Sequence, residues 1–438
     1  MKLSNENETI SIEISEDKYS AFMTIKKTNE PIKENDVLKL IEESGIVYGF
    51  ENANSFVEQK AISKDYDIPF PLAIGIKPTD AQVEFEFLFD ENNCYNEKAF
   101  NNNFAKLKDF ETIKKGKPVA RLFITKMPQN GKDIFGTTNE NDKSKEDIIN
   151  SYLGENVSYS VDLSQIVADK SGYPYINSLG KVSVKNTFEI NSDLDLSFEN
   201  ISLSGNLVIN GNIKDKIEID IDGTIEVNGD VNNATIESTE EIIINGDILN
   251  CRSQGIISQG NISFHSAENS SVSSSKKIFF SKNIHFCKII AEEGVIGDQE
   301  ESSIVGGLVQ SGVLIEAALI GNSSAINTEV EISISPFTKE RMLLLTKKIM
   351  ELKELPDSDK SQIQQMETEL DVLEDKLEDD INNALMNSES TSRRITAYKN
   401  IFSGVYVRIL KKSQTILEDL HKSSFTIENG ELIIDEYM

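Results

Sequence analysis

The chain has 438 residues, enough for two to four domains, and its apolar content of 38% is sufficient for a sizeable core. Its 73 acidic residues against 44 basic ones give a formal charge of −29. That balance argues against a nucleic-acid backbone or an anionic membrane surface as partner, because both require Lys/Arg clusters. The three cysteines, Cys94, Cys251 and Cys287, lie far apart and point to a reducing compartment without a disulfide framework. The chain starts with polar and acidic residues, and no later run reaches the length of a membrane span. We therefore expect a soluble, cytoplasmic protein with no membrane insertion.

Residues 9–25 alternate Ile10, Ile12, Ile14 and then Ala21, Met23, Ile25, which predicts two strands with a turn near Glu16-Asp17. Asn35 or Asp36 is placed to cap a short helix carrying Val37, Leu38, Leu40 and Ile41, ended by Gly45. A second helical pattern falls near 52–62. Pro69 and Pro71 interrupt it, and strands are expected at 72–76 and 82–89. Residues 96–110 read as one helix with Phe100, Phe104 and Leu107 on one side. Gly131-Lys132 invites comparison with a phosphate loop. No Ser or Thr follows the Lys and no earlier Gly has the right spacing, so that reading is rejected. Residues 137–147 read as an exposed polar loop, with strands following at 158–161 and 181–184.

From about 201 to 250 one pattern recurs three times: Leu207-Val208-Ile209-Asn210-Gly211, Ile225-Glu226-Val227-Asn228-Gly229 and Ile242-Ile243-Ile244-Asn245-Gly246. The glycines are spaced 18 and then 17 residues apart, a period that signals a solenoid. Alternating aliphatic residues supply a strand with one buried face. The Asn-Gly pair is expected to supply the positive φ of a corner. A single such turn cannot offset its own ordering entropy, so neighbouring coils must cover one another. This predicts a parallel β-helix, right-handed in preference to left-handed, because no strict six-residue repeat appears. The alternative is a meander of hairpins, since Asn-Gly also marks type I′ turns. Less regular coils follow at 262–264, 278–280, 289–290 and 304–309. The last carry Val313-Leu314-Ile315-Glu316-Ala317 and Ala318-Leu319-Ile320-Gly321.

At Pro336 the period changes. Met342, Leu345, Ile349 and Leu352 fit heptad a and d positions, and Ile363, Met366, Leu370, Leu373 and Leu377 fit a second series. The breaker at Pro356 makes this an antiparallel helical hairpin. Its narrow seam would pack on the solenoid end or pair with a second subunit. Beyond 387–391 the chain is strand-like again at 401–409 and 425–434, which suggests a return segment that caps the solenoid. The domain reading is 1–155 as an N-terminal α+β domain and 156–335 as the β-helix. The hairpin then takes 336–390, and the capping segment 391–438.

Chemistry finds little footing. Asp230 and Asp247 should stack on successive coils, about 4.8 Å apart, as a Ca²⁺ ladder would require. The preceding coil has Asn212 there, and Asp after Asn-Gly is ordinary turn chemistry. His285 and Cys287 project from one side of a strand, but His265 falls at a different phase, short of the three or four ligands of a metal cluster. His421 has no evident partner, and no Ser-His-Asp or Cys-His order can be drawn. We therefore expect no catalytic, cofactor-binding or metal residues.

The order of motifs resembles that of the flagellar assembly protein A family. The resemblance is clearest in Ile304-Val305-Gly306-Gly307, in Ile315-Glu316-Ala317, and in Ile320-Gly321 with Thr328 beyond. Ile401-Phe402-Ser403-Gly404-Val405 is similar to that family's return segment, with Ser403 where proline is usual. Gly45-Ile46-Val47-Tyr48-Gly49, and Gly116, Ala120, Gly131, Asp133 and Gly136, resemble its N-terminal motifs. The resemblance implies an N-terminal family domain, a β-helix, a helical hairpin and a role in flagellar assembly or polar placement. The function expected is a non-enzymatic scaffold with protein partners, and a homodimer is one open form. A bactofilin-like structural polymer and a β-helix carbohydrate-active enzyme are the alternatives.

Overall fold

The computed structural model describes residues 1–28, 34–49, 66–195, 198, 200–252, 255–354, 360–386, 393–428 and 430–436. The helix expected near 52–62 and the breaker at Pro356 lie outside the described residues. The protein is mainly β, with an N-terminal α+β region, a parallel β-solenoid and a helical hairpin. Two compact units interleave along the chain. One takes Met1–Phe89, Gly116–Ala168 and Ile176–Ser183; the other takes Asp90–Lys115, Asp169–Tyr175 and Val184–Met438.

In the first unit, strands Lys2–Ser4, Ile10–Ile14, Ser20–Ile25 and Phe70–Ile74 form an antiparallel sheet. Its inner face (Ile10, Ile12, Ile14, Met23, Leu72) packs with Val37 and Leu40 of helix Glu34–Ser44. Asn35 and Asp36 lie within that helix's first turn, not ahead of it. Gly45, at φ +72°, ends it as expected. A second antiparallel sheet orders Gln82–Phe87, Pro118–Lys126, Gln165–Ala168 and Val157–Ser160. Residues 137–147 are more structured than a polar loop. Thr138–Asn139 pairs with Gly131–Lys132, and helix Lys145–Ser151 starts from a reciprocal Ser144/Asp147 capping box.

In the second unit the solenoid's inward residues stack in columns. Ile201, Ile219, Ile236, Ile256, Val272, Ile289, Val309, Val330 and Val407 form one column, each in register with the next. Leu207, Ile225, Ile242, Ile262, Ile278, Val295, Ile315 and Ile395 form a second. A third runs through Leu194, Ile213, Val231, Ile248, Ala267, Ile284, Ile304, Ile320 and Ile401. Among the described residues the pairings that link each coil to the next along these columns are all parallel, which excludes the meander of hairpins. The irregular spacing of the later coils leaves these columns intact, because loop length varies at the corners while the inward positions keep register.

The corner chemistry differs from expectation. None of Gly211, Gly229 and Gly246 has a positive φ; they sit in a column where a Cβ has no room. On Gly229 it would lie 2.5 Å from the carbonyl oxygen of Gly211, and on Gly246 2.4 Å from that of Gly229. The left-handed position falls a few residues later, at Asp215, Asn233, Asn250, Asn269, Phe286 and Gly306, with φ from 50° to 73°. Asn and Asp tolerate that conformation through local hydrogen bonding.

Both ends of the stack are covered. Residues 96–110 are not one helix. Asn101 and Asn102 adopt φ 43° and 55° and split it into helix Glu97–Phe100 and 3₁₀ helix Phe104–Asp109. Asn96 and Asn103 cap the two pieces. The fold brings Tyr95, Phe100, Phe104 and Tyr173 around Phe188 on the first coil, in edge-on contacts 5.6–6.2 Å between centroids. At the other end, Leu420–Glu428 pairs antiparallel with Arg394–Ile401, and Glu431–Glu436 pairs antiparallel with it in turn. That reversal ends the parallel stack. Helices Pro336–Glu354 and Lys360–Met386 are inserted between the coil strand Thr328–Ile332 and the coil strand Arg394–Ile401.

Candidate functional site

The acidic column on the coil corners is occupied by the protein itself. The Asp193 carboxylate accepts the backbone N–H of Asn212 at 2.8 Å, and the Asn212 side chain accepts that of Asp230 at 2.8 Å. The Asp230 carboxylate accepts from Asp247 N–H at 2.9 Å, and Asp247 accepts from Ser266 N–H at 3.1 Å. Each side chain thus satisfies a donor on the next coil, and Asn does this as well as Asp. Beside it Asn191, Asn210, Asn228 and Asn245 form an amide ladder with bonds of 2.6–2.9 Å. The residue types at this corner are explained by rung-to-rung hydrogen bonding. Among the described residues no group of three His, Cys, Asp or Glu is arranged to hold a metal ion.

His285 is in register with Glu268, while the carbonyl of His265 accepts from Lys282 N–H; the two histidines stand in different columns. Cys287 is buried, and its thiol donates to the His285 carbonyl at 3.2 Å. Burial pushes the Cys287 thiol up to about 11 and also raises Cys251, which keeps both in the neutral form. His421 shares a hydrogen bond of 2.6 Å with the side chain of Asn400 on the exposed side of the end strands.

In the N-terminal unit the fold joins two glycine-containing loops. Val47 and Tyr48 N–H both donate to the Ile134 carbonyl, at 2.9 and 3.1 Å. Gly49 lies so close to Ile74 that a Cβ would stand 2.2 Å from its carbonyl oxygen. The Lys132 ammonium is 4.4 Å from the Tyr48 ring centroid. The buried Asp133 carboxylate accepts from Phe135 and Thr137 N–H at 3.0 and 2.8 Å. Every backbone N–H from Lys132 to Thr137 has an acceptor inside the unit, so this loop offers no cradle of free donors to a phosphate. Next to the joined loops, Val47, Ile74 and Ile76 are 64%, 60% and 53% exposed. That is an apolar surface, and no single segment of the sequence carries it.

The hairpin presents a second surface. Of its heptad residues only Leu345 and Ile349 are buried, along with Ala384; the other seam positions are half-covered. Leu344, Met350 and Val372 stand exposed. Where the helices meet the solenoid there is a cleft of about 460 Å³, walled by Met342, Leu343, Leu377 and Ile381, with Arg408 at the coil side. Lys288 pairs with Glu340 and Lys339 with Glu331 across this junction.

The architecture defines a class: a parallel β-solenoid with a helical hairpin inserted before its last coils and an α+β region ahead of it. Residues 186–367 match the model described as the Flagellar Assembly Protein A beta solenoid domain, and residues 10–179 match that of the Flagellar Assembly Protein A N-terminal region. The two matches span most of the chain, which belongs to the flagellar assembly protein A family. No curated protein and no solved structure matches it individually. Among the described residues no helix is long and apolar enough to cross a membrane.

Proposed function

We propose that the protein is a non-enzymatic cytoplasmic scaffold for flagellar assembly or polar placement, acting through protein–protein contacts. Family membership supports the flagellar setting. The observation that carries the scaffold reading is the hairpin: beside a solenoid whose inward residues are covered, it leaves a seam half-covered and Leu344, Met350 and Val372 bare. One occupant is a second copy of the chain. The first hairpin helix has five Lys/Arg against three Glu, and the second has two Lys against eight Asp/Glu. Within one hairpin this contrast already yields Arg341–Glu369 and Lys353–Glu367 pairs, at 2.9 and 2.6 Å. A two-fold pairing sets each first helix against the partner's second helix, as in a four-helix bundle.

Light scattering on the full-length protein is expected to give twice the chain mass, and Leu344→Glu with Met350→Glu the monomer mass. The same double variant is expected to disturb flagellar number or position in cells. A monomer at every concentration would overturn the homodimer. Normal flagellation after removal of the whole protein would overturn the role. The antiparallel end strands argue against an end-to-end polymer, and electron microscopy that revealed filaments would favour that reading instead.

A further inference from the structure

The hairpin-root cleft is lined by an arginine, Arg408, whose Nε has no hydrogen-bond acceptor among the described residues. Arg408 follows Glu331 in one outward column and is its register neighbour. Glu331 does not serve it: one carboxylate oxygen accepts from Gln310 Nε2 at 2.9 Å and the other is taken by Lys339. Lys411, also in the cleft wall, is turned to Glu378 and Asn382 at 3.3 and 3.5 Å. The Nε of Arg408 is buried and has no acceptor among the described residues. A buried donor left unmet is unfavourable, so the cleft favours an acceptor placed against this nitrogen.

The rest of the lining narrows the acceptor's chemistry. Met342, Leu343, Leu377 and Ile381 make the helical walls aliphatic. The volume of about 460 Å³ falls within the roughly 300–1,000 Å³ usual for small-molecule sites. Of the cleft's other charges Lys339 is paired with Glu331 and Lys411 with Glu378, and Glu374 adds a further negative charge, a balance that suits a single carboxylate over a doubly charged phosphate. The Nε–H and one Nη–H of a guanidinium form a fork that matches a carboxylate's two oxygens. We propose that this cleft is a binding site for a small aliphatic monocarboxylate, with Arg408 holding the head and the hairpin walls the chain. This rests on the cleft alone and stands or falls independently of the scaffold reading.

The test uses the full-length protein and octanoate as probe, followed by calorimetry and ligand-observed NMR. Saturable one-to-one binding is expected. Octanamide, of the same shape without the charge, and octyl phosphate are each expected to bind at least tenfold more weakly. Arg408→Gln is expected to raise the octanoate Kd at least tenfold, and Arg408→Lys, which keeps the charge without the fork, by less. If Arg408→Gln melts early, the Lys variant and the probe series on the unaltered chain carry the test. Absence of saturable binding would overturn the proposal. So would equal binding of octanoate and octanamide, or an octanoate Kd unchanged in a folded Arg408→Gln.

Discussion

In the column Ile201, Ile219, Ile236, Ile256 each residue is covered by the next, and none is more than 1% exposed. In the hairpin, seam residues of the same aliphatic kind stay half-covered except at Leu345 and Ile349. The difference is geometric. A stacked coil has neighbours above and below, so adding rungs hides both faces of every interior side chain. Two helices meet along a single line, and the far side of each side chain remains open. The solenoid's inward columns are therefore closed within themselves, although Phe279 and Phe286 stand exposed on its outside, whereas the hairpin's apolar seam is available to something else.

The strongest challenge to this contrast is a charge inside the stack. Ile244 is 1% exposed, and Ile244→Asp should cost about 4 kcal/mol or more by burying an unpaired carboxylate. Its melting temperature should fall steeply; an unchanged one would mean that the solenoid interior is not sealed.

A gentler probe of the same interior is alkaline pH. The Cys287 thiol is held at about 11 when folded, against 9.0 for an ordinary thiol. Between those values the unfolded chain has lost the proton that the folded chain keeps. Stability contributed at this site is therefore complete below pH 9 and lost as pH rises through 11, by about 2–3 kcal/mol. Cys287→Ala should show a correspondingly flatter decline in denaturant titrations from pH 9 to 11. A parallel decline would mean that water reaches the thiol.

The smallest effect is expected in the hairpin. Leu370→Ala removes a half-covered side chain and should cost about 1 kcal/mol. Amide hydrogen exchange should register the loss within Pro336–Glu354 and Lys360–Met386 while the coil strands keep their protection. A loss of protection spread over the coils would mean that hairpin and solenoid open together.

The solenoid was legible because it repeats. The Leu207, Ile225 and Ile242 segments carry both the strand alternation and the period, and stacking follows once a lone turn is seen to be unstable. The heptads after Pro336 were legible for the same reason, and the different phases of His265 and His285 could be counted off the coils. The role of Gly211, Gly229 and Gly246 was not legible, because a missing Cβ signals positive φ and close backbone approach equally well. Only the neighbouring coil decides, and here its carbonyl oxygen, 2.4–2.6 Å from where a Cβ would stand, does so.

The aromatic cover over the first coil escaped pattern reading too. Tyr95, Phe100 and Phe104 look like one helical stripe until Asn101 and Asn102 turn the chain. The apolar surface beside Gly49 draws on Val47, Ile74 and Ile76, and the cleft at the hairpin root draws on residues from 331 to 411. Local sequence fixes what repeats locally: strand period, heptad period, corner-forming side chains. Surfaces and clefts depend on which distant residues the packed chain brings together and on which charges already have partners, and those are properties of the tertiary structure alone.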